Sequence, residues 1–252
     1  MEKVKGENKM ILYGLMWIAL IAVIIVNILS NALPLNGQTA SEITNRLEVL
    51  FTPAGYVFSI WSLIYLLLII WLVLNYRKIK NGQFKSTIGI IFIGSCILNI
   101  AWLFSWHYEQ FALSVLIMFL LLISLIMIYV QYSTEQTSLS ERLPFSFYLS
   151  WITVATIANV SYVLKYYNVD LGINEVFGSL ILVVIAVIIG YLAIDISKDI
   201  YFVLVIVWGL IGIAVKTTNE TMQQGTITLT VILVIAALIR YLFNQKTDAK
   251  LK

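Results

Sequence analysis

The chain has 252 residues, of which 61% are hydrophobic and only 12% charged, about half the charge of a soluble domain. Its formal charge of +3 comes from residues flanking long apolar runs, so it gives no reason to expect nucleic acid as a partner. A lone cysteine, Cys96, and a lone histidine, His107, exclude an intrachain disulfide and a zinc or iron–sulfur centre built from soft ligands.

Apolar runs of roughly 16–24 residues recur along the whole sequence, the length needed to cross ~30 Å of hydrocarbon at 1.5 Å per residue. They are apolar all round, as in the fourth, "FALSVLIMFLLLISLIMIYV". A membrane β-barrel would instead alternate apolar and polar residues in segments of about ten. Helices satisfy their own backbone groups in lipid, so the pattern predicts an all-α integral membrane protein. Eight spans are predicted: 11–33, 54–76, 87–106, 111–131, 143–164, 176–194, 200–215 and 226–243.

Thirteen of the sixteen Lys and Arg residues fall in segments that share a side with the N-terminus; three, Arg46, Lys165 and Lys216, fall opposite. Basic residues concentrate on the cytoplasmic side, so both termini are expected there, and the plasma membrane of a bacterium is the expected location. The first apolar run exceeds the 7–15 residues of a signal-peptide core and is expected to stay as a helix.

The first span carries two amides, Asn27 and Asn31. The loop after it, "PLNGQTASEITNRLEVLFTP", is long enough for a lid; Ser41, Ile43 and Leu47 predict a short interfacial helix within it. Pro53 in "TPAG" marks the entry turn of the second span, where a missing N–H costs little. Phe58, Trp61 and Tyr65 then follow at i, i+3 and i+7, which on an α-helix is one face, with Ser62 beside it. An interfacial aromatic belt is one reading of these rings; Trp61 and Tyr65, about one and a half to three turns inside, fit an inward-facing stripe better. In the third span, "CILNIAWLFSW" sets Asn99 one turn before Trp102. A side-chain amide in hydrocarbon needs protein or a polar cavity to face; a helix–helix hydrogen bond is the alternative. Cys96 reads as a small buried hydrophobe, and His107 and Glu109 as residues of a solvated loop.

The fifth span repeats the theme, with Tyr148, Trp151, Ala155, Asn159 and Tyr162 on one stripe. Spans four and six are almost purely aliphatic, and seven is so apart from Trp208. Asp195 and Arg240 sit near span ends, where snorkelling accounts for them. The aromatic residues of spans two, three and five read as walls of a shared cavity. Pockets for small molecules are mostly apolar and aromatic with a few placed polar groups, and flat walls suit a flat ligand.

These residues resemble the TspO/translocator proteins, also called tryptophan-rich sensory proteins or peripheral benzodiazepine receptors. "FTPAGYVFSIWSLIY" is similar to their second-helix signature at Pro53, Val57, Phe58, Trp61 and Tyr65. "LNIAW" is similar to their third-helix motif at Leu98, Asn99 and Trp102, and "SWITVATIAN" to their fifth at Trp151, Ala155 and Asn159. Thr52 and Leu103 stand where that family has prolines. "VSYVLK", Val160 to Lys165, also fits a loose cholesterol pattern.

The resemblance covers residues 11–165 and implies a TspO-like five-helix bundle over 1–165, followed by about three further membrane helices over 166–252. It implies a pocket for porphyrins or haem-like tetrapyrroles, sterol-like lipids and synthetic aromatic ligands, with no required cofactor. The expected lining is Phe58, Trp61, Tyr65, Asn99, Trp102, Tyr148, Trp151, Ala155 and Asn159. Membrane lipids, a hydrophobic small molecule and, by resemblance, a second copy in a homodimer are the expected partners. The leading reading is a membrane receptor, sensor or carrier. A transporter is the alternative, weakened by the lack of midplane charges. The spans hold no paired-carboxylate, histidine-based or metal constellation, so catalysis is not favoured; light-dependent porphyrin breakdown, associated with the family, is the one enzymatic role kept open.

Overall fold

In the computed structural model, the described residues are 2–33, 35–132, 137–170 and 172–250, with side chains described from 9 to 244. All regular structure among them is helical. The helices are α1 (Glu2–Ala32), α2 (Ala40–Asn45), α3 (Ile60–Lys80), α4 (Ser86–His107), α5 (Phe111–Gln131), α6 (Leu139–Tyr166), α7 (Glu175–Ser197), α8 (Ile200–Lys216) and α9 (Glu220–Lys250). Among the described residues, seven helical stretches are long and apolar enough to cross a membrane. The eighth predicted span is α8, whose 17 residues give about 25 Å, the short end of the spanning range. Asp199 starts it cleanly, its carboxylate accepting from the amides of Tyr201 and Phe202 at 3.0 and 3.1 Å, an N-cap that satisfies donors lacking helical partners.

The chain forms two compact units. The first comprises residues 1–46 and Trp61–Tyr148; the second comprises Leu47–Ile60 and 149–252.

In the first unit α4 packs on both α1 and α5. Gly89 of α4 leaves the space that Met16 and Leu12 of α1 fill. At the end near the α3–α4 turn, the Lys9 ammonium donates to the carbonyls of Gly82 and Phe84. The same end holds an aromatic knot around Trp71, which is fully buried. Its ring lies 5.1 Å from Phe92 and 5.0 Å from Phe145, and its Nε1 donates to Tyr132 Oη at 3.3 Å. Edge-to-face packing of such rings adds about 0.5–1.5 kcal/mol per pair beyond buried area. The knot therefore ties α3, α4 and the start of α6 together. Lys78 and Glu141 add an ion pair at 2.7 Å.

In the second unit α7, α8 and α9 pack on one another. Gly190 of α7 admits Leu233 of α9, and Gly225 of α9 admits Leu180 of α7, so each helix offers the other one close approach. Small residues at such points let helices meet by van der Waals contact, the main attraction available between helices in lipid. Asp195 and Arg240 do not snorkel separately, as the sequence suggests: they form an ion pair between α7 and α9. On α6, Ser150 donates to the carbonyl of Phe202 at 2.7 Å, and Val154 fills the space beside Gly209 of α8.

Candidate functional site

The segment entering the second span departs from a plain α-helix. Gly55–Ser59 is a 3-10 helix, preceded by extended Ala54, and α3 begins only at Ile60. A 3-10 turn takes three residues rather than 3.6, so Phe58 does not keep α-helical phase with Trp61 and Tyr65, and the expected single stripe is broken. The segment is seated on α8 instead. Ala54 N–H donates to the Gly212 carbonyl at 3.0 Å, and Trp208 Nε1 donates to the Val57 carbonyl at 3.1 Å. The Tyr56 ring meets Trp208 edge-on at 5.4 Å. Gly212 leaves the space that Val57 and Pro53 occupy. Phe58 lies edge-on to the buried Trp151 at 5.5 Å, in the second unit.

In the first unit, α3, α4 and α6 bring four of the expected residues together. Trp61 stacks on Tyr65, centroids 5.5 Å apart and planes 20° apart, and meets Tyr148 edge-on at 5.8 Å. The Asn99 amide donates to Tyr148 Oη at 2.9 Å. Asn99, Tyr148 and Tyr65 are all buried, and Trp61 is half-buried. Two polar atoms here, Tyr65 Oη and Asn99 Oδ1, are buried with no hydrogen-bond partner among the described residues. Such groups in an apolar setting cost free energy unless something satisfies them.

The other expected residues lie as follows. Trp102 is half-buried one turn beyond Asn99 and stacks on Trp106 at 6.0 Å, which in turn meets Phe111 at 5.1 Å. In the second unit Asn159 is buried on α6 and Ala155 half-buried. Tyr162, the aromatic residue of the cholesterol-like pattern, is also buried, and Lys165 pairs with Glu175 at 2.6 Å. Asn31 turns back on its own helix, donating to the Asn27 carbonyl at 2.8 Å. Cys96 is buried on α4, as expected.

The loop after α1 forms a strap. Thr39 caps α2 in a reciprocal box with Glu42, the arrangement that satisfies two exposed amide donors at once. Ile43 of α2 is fully buried, and α2 packs against α1 and α4. The strap is pinned to the α4–α5 turn. Asn36 donates to the His107 carbonyl at 3.1 Å, Gln38 to Glu109 at 3.3 Å, and Arg46 to Glu109 at 2.8 Å. The Arg46 hydrogen bond holds the Glu109 carboxyl below the usual carboxylate range. His107 is no solvated loop residue: α4 extends through it, and its ring is fully buried.

Sequence spacing missed Tyr56 and Trp208, whose contact depends on the 3-10 turn. The pair of glycines in α8, Gly209 and Gly212, is the signal that could have marked that helix as a close-packing surface.

The fold and the aromatic–amide centre define a polytopic α-helical membrane protein with buried polar side chains inside its spans. The family model described as TSPO-like protein matches residues 12–243, and the chain belongs to that family. The match runs through α7, α8 and α9, beyond the region in which the motifs are legible. No curated protein and no solved structure matches the chain.

Proposed function

We propose that this TSPO-like membrane protein is a receptor or sensor for a flat hydrophobic ligand, of the porphyrin or sterol-like class. The observation that carries the reading is the centre in the first unit. Half-buried Trp61, stacked on Tyr65 and edge-on to Tyr148, supplies its outer ring face, while Tyr65 Oη and Asn99 Oδ1 are buried polar atoms lacking partners among the described residues. Ring faces bind a flat apolar body, and the two polar atoms orient a substituent that bears a hydrogen-bonding group. The hydroxyl of Tyr65 offers a donor; the oxygen of Asn99, whose amide N–H is spent on Tyr148, offers an acceptor. The strap of residues 35–46, with its buried Ile43, is suited to cover a mouth at the same end as His107. The distribution of Lys and Arg supports an orientation with both termini cytoplasmic.

The experiment is an equilibrium titration of the purified chain in lipid nanodiscs with protoporphyrin, followed by tryptophan fluorescence. Saturable quenching that weakens at least tenfold in Asn99→Ala supports the reading. Quenching that stays linear in ligand, or an unchanged Kd in the variant, removes it.

A further inference from the structure

His107 is the chain's one histidine, and the binding centre makes no use of it. Both of its ring nitrogens face main-chain carbonyl oxygens: Nδ1 lies 2.8 Å from that of Leu103, and Nε2 lies 3.3 Å from that of Ser30. A carbonyl oxygen only accepts. A neutral imidazole carries one N–H and one lone pair, so it can satisfy one of these contacts and must turn a lone pair toward the other oxygen. Only the imidazolium donates to both. The Leu103 contact lies within α4, whereas the Ser30 contact reaches the last turns of α1, the helix from which the strap departs. The carbonyl of His107 itself accepts from Asn36 of the strap. Two residues on, Glu109 takes Gln38 and Arg46. The ring therefore stands where the ends of α1 and α4 and the strap meet.

We propose that His107 is a proton-binding site that latches the strap. With both nitrogens protonated, the ring ties the end of α1 to α4 and the strap stays seated. When pH rises and one ring proton leaves, the longer bond to Ser30 is lost, since the bond to Leu103 lies within the ring's own helix. The end of α1 and the strap that follows it are then released. The sign is fixed: closed on the acid side, open on the alkaline side.

Histidine is the side chain whose ordinary titration falls between pH 5 and 8. The other titratable groups around it are Glu42 and Arg46 on the strap and Tyr108 and Glu109 on the turn; the last two turns of α1 and the first of α5 carry none. Thr39 hydrogen bonds lower the Glu42 carboxyl, and Arg46 lowers that of Glu109. Both carboxylates therefore stay ionised from pH 5.5 to 8.5, and arginine and tyrosine do not titrate there.

The test uses the full chain in nanodiscs carrying a spin label at Ser41→Cys, an exposed strap position; Cys96 is buried and does not compete for label. The proposal expects an immobilised label at pH 5.5 and a predominantly mobile one at pH 8.5. In parallel, 15N-histidine spectra of the unlabelled chain report one ring only. They should show both nitrogens protonated at pH 5.5 and lose one proton with the same midpoint as the label. His107→Gln, which cannot titrate, should abolish the pH response of the label. A label insensitive to pH, a response that survives in His107→Gln, or a ring already neutral at pH 5.5 each overturns the latch. If His107→Gln fails to fold, the nitrogen spectra of the native chain decide alone.

Discussion

The side-chain amide of Asn99 on α4 donates a 2.9 Å hydrogen bond to the hydroxyl of Tyr148 on α6, and both groups are buried in the membrane-spanning part of the first unit. Hydrogen bonds between helices in membranes contribute about 0.6–2 kcal/mol. Tyr148→Phe is expected to destabilise the protein by about that amount in a denaturing-detergent titration followed by circular dichroism. Asn99→Leu should cost a similar amount, and the double variant less than the sum. Strict additivity would show that the two groups do not interact.

Gly212 of α8 is expected to tolerate no side chain while the entry segment stays in place. A Cβ built there falls 2.2 Å from Val57 Cγ2 and 3.2 Å from Pro53 Cβ. Gly212→Ala should therefore cost about 1–3 kcal/mol, the range for overpacking, seen as a lower Tm in detergent. Val57→Ala removes the clashing atom and should recover most of the loss. A single variant with native Tm would mean that the segment is seated elsewhere.

The knot around Trp71 should be the most sensitive packing site in the first unit. Trp71→Ala is expected to cost about 3–5 kcal/mol, as large aromatic truncations in cores do. Ile18→Ala, at a position 64% exposed, should stay within about 0.5 kcal/mol. Comparison of their unfolding midpoints checks this; equal effects would deny the knot its role.

The Glu109–Arg46 pair gives the strap an acid limit. The folded carboxyl lies below its ordinary range because Arg46 donates to it. Its contribution is therefore present above the unfolded carboxylate pKa, about 4.3, and is lost as pH falls through the lower folded value. Protease cleavage within residues 38–46 should rise below that point and with added salt, since the pair is partly exposed and screened. In Glu109→Gln the cleavage rate should be raised at neutral pH and lose its salt dependence.

The helices were legible because a chain in lipid must satisfy its backbone internally, which leaves long apolar runs as the only solution. Even short α8 could be placed, between Asp199 and Lys216. The convergence of Trp61, Tyr65, Asn99 and Tyr148 was legible in part, since an amide such as that of Asn99 is costly in hydrocarbon unless it faces protein, and the aromatic residues recur at helical spacing on the neighbouring spans. Phe58 was not legible as a separate element: its phase depends on a 3-10 turn stabilised by contacts to Trp208 and Gly212, more than 150 residues away in sequence. Trp71 hid within an aliphatic run, because its partners Phe92, Tyr132 and Phe145 come from other elements. His107 read as loop because polar residues interrupt the apolar runs there. Its bonds go to main-chain carbonyls, which leave no mark on the sequence.

We propose that the flat ligand lies against Trp61, beside Tyr65 and Asn99. The most direct measurement is 19F NMR of the chain with its seven tryptophans replaced by 5-fluorotryptophan, in nanodiscs, before and after addition of protoporphyrin. Resonances are assigned by single Trp→Phe variants. With saturating ligand the Trp61 resonance is expected to shift or broaden while that of Trp71 stays in place. A ligand that binds saturably and leaves Trp61 unmoved would contradict it.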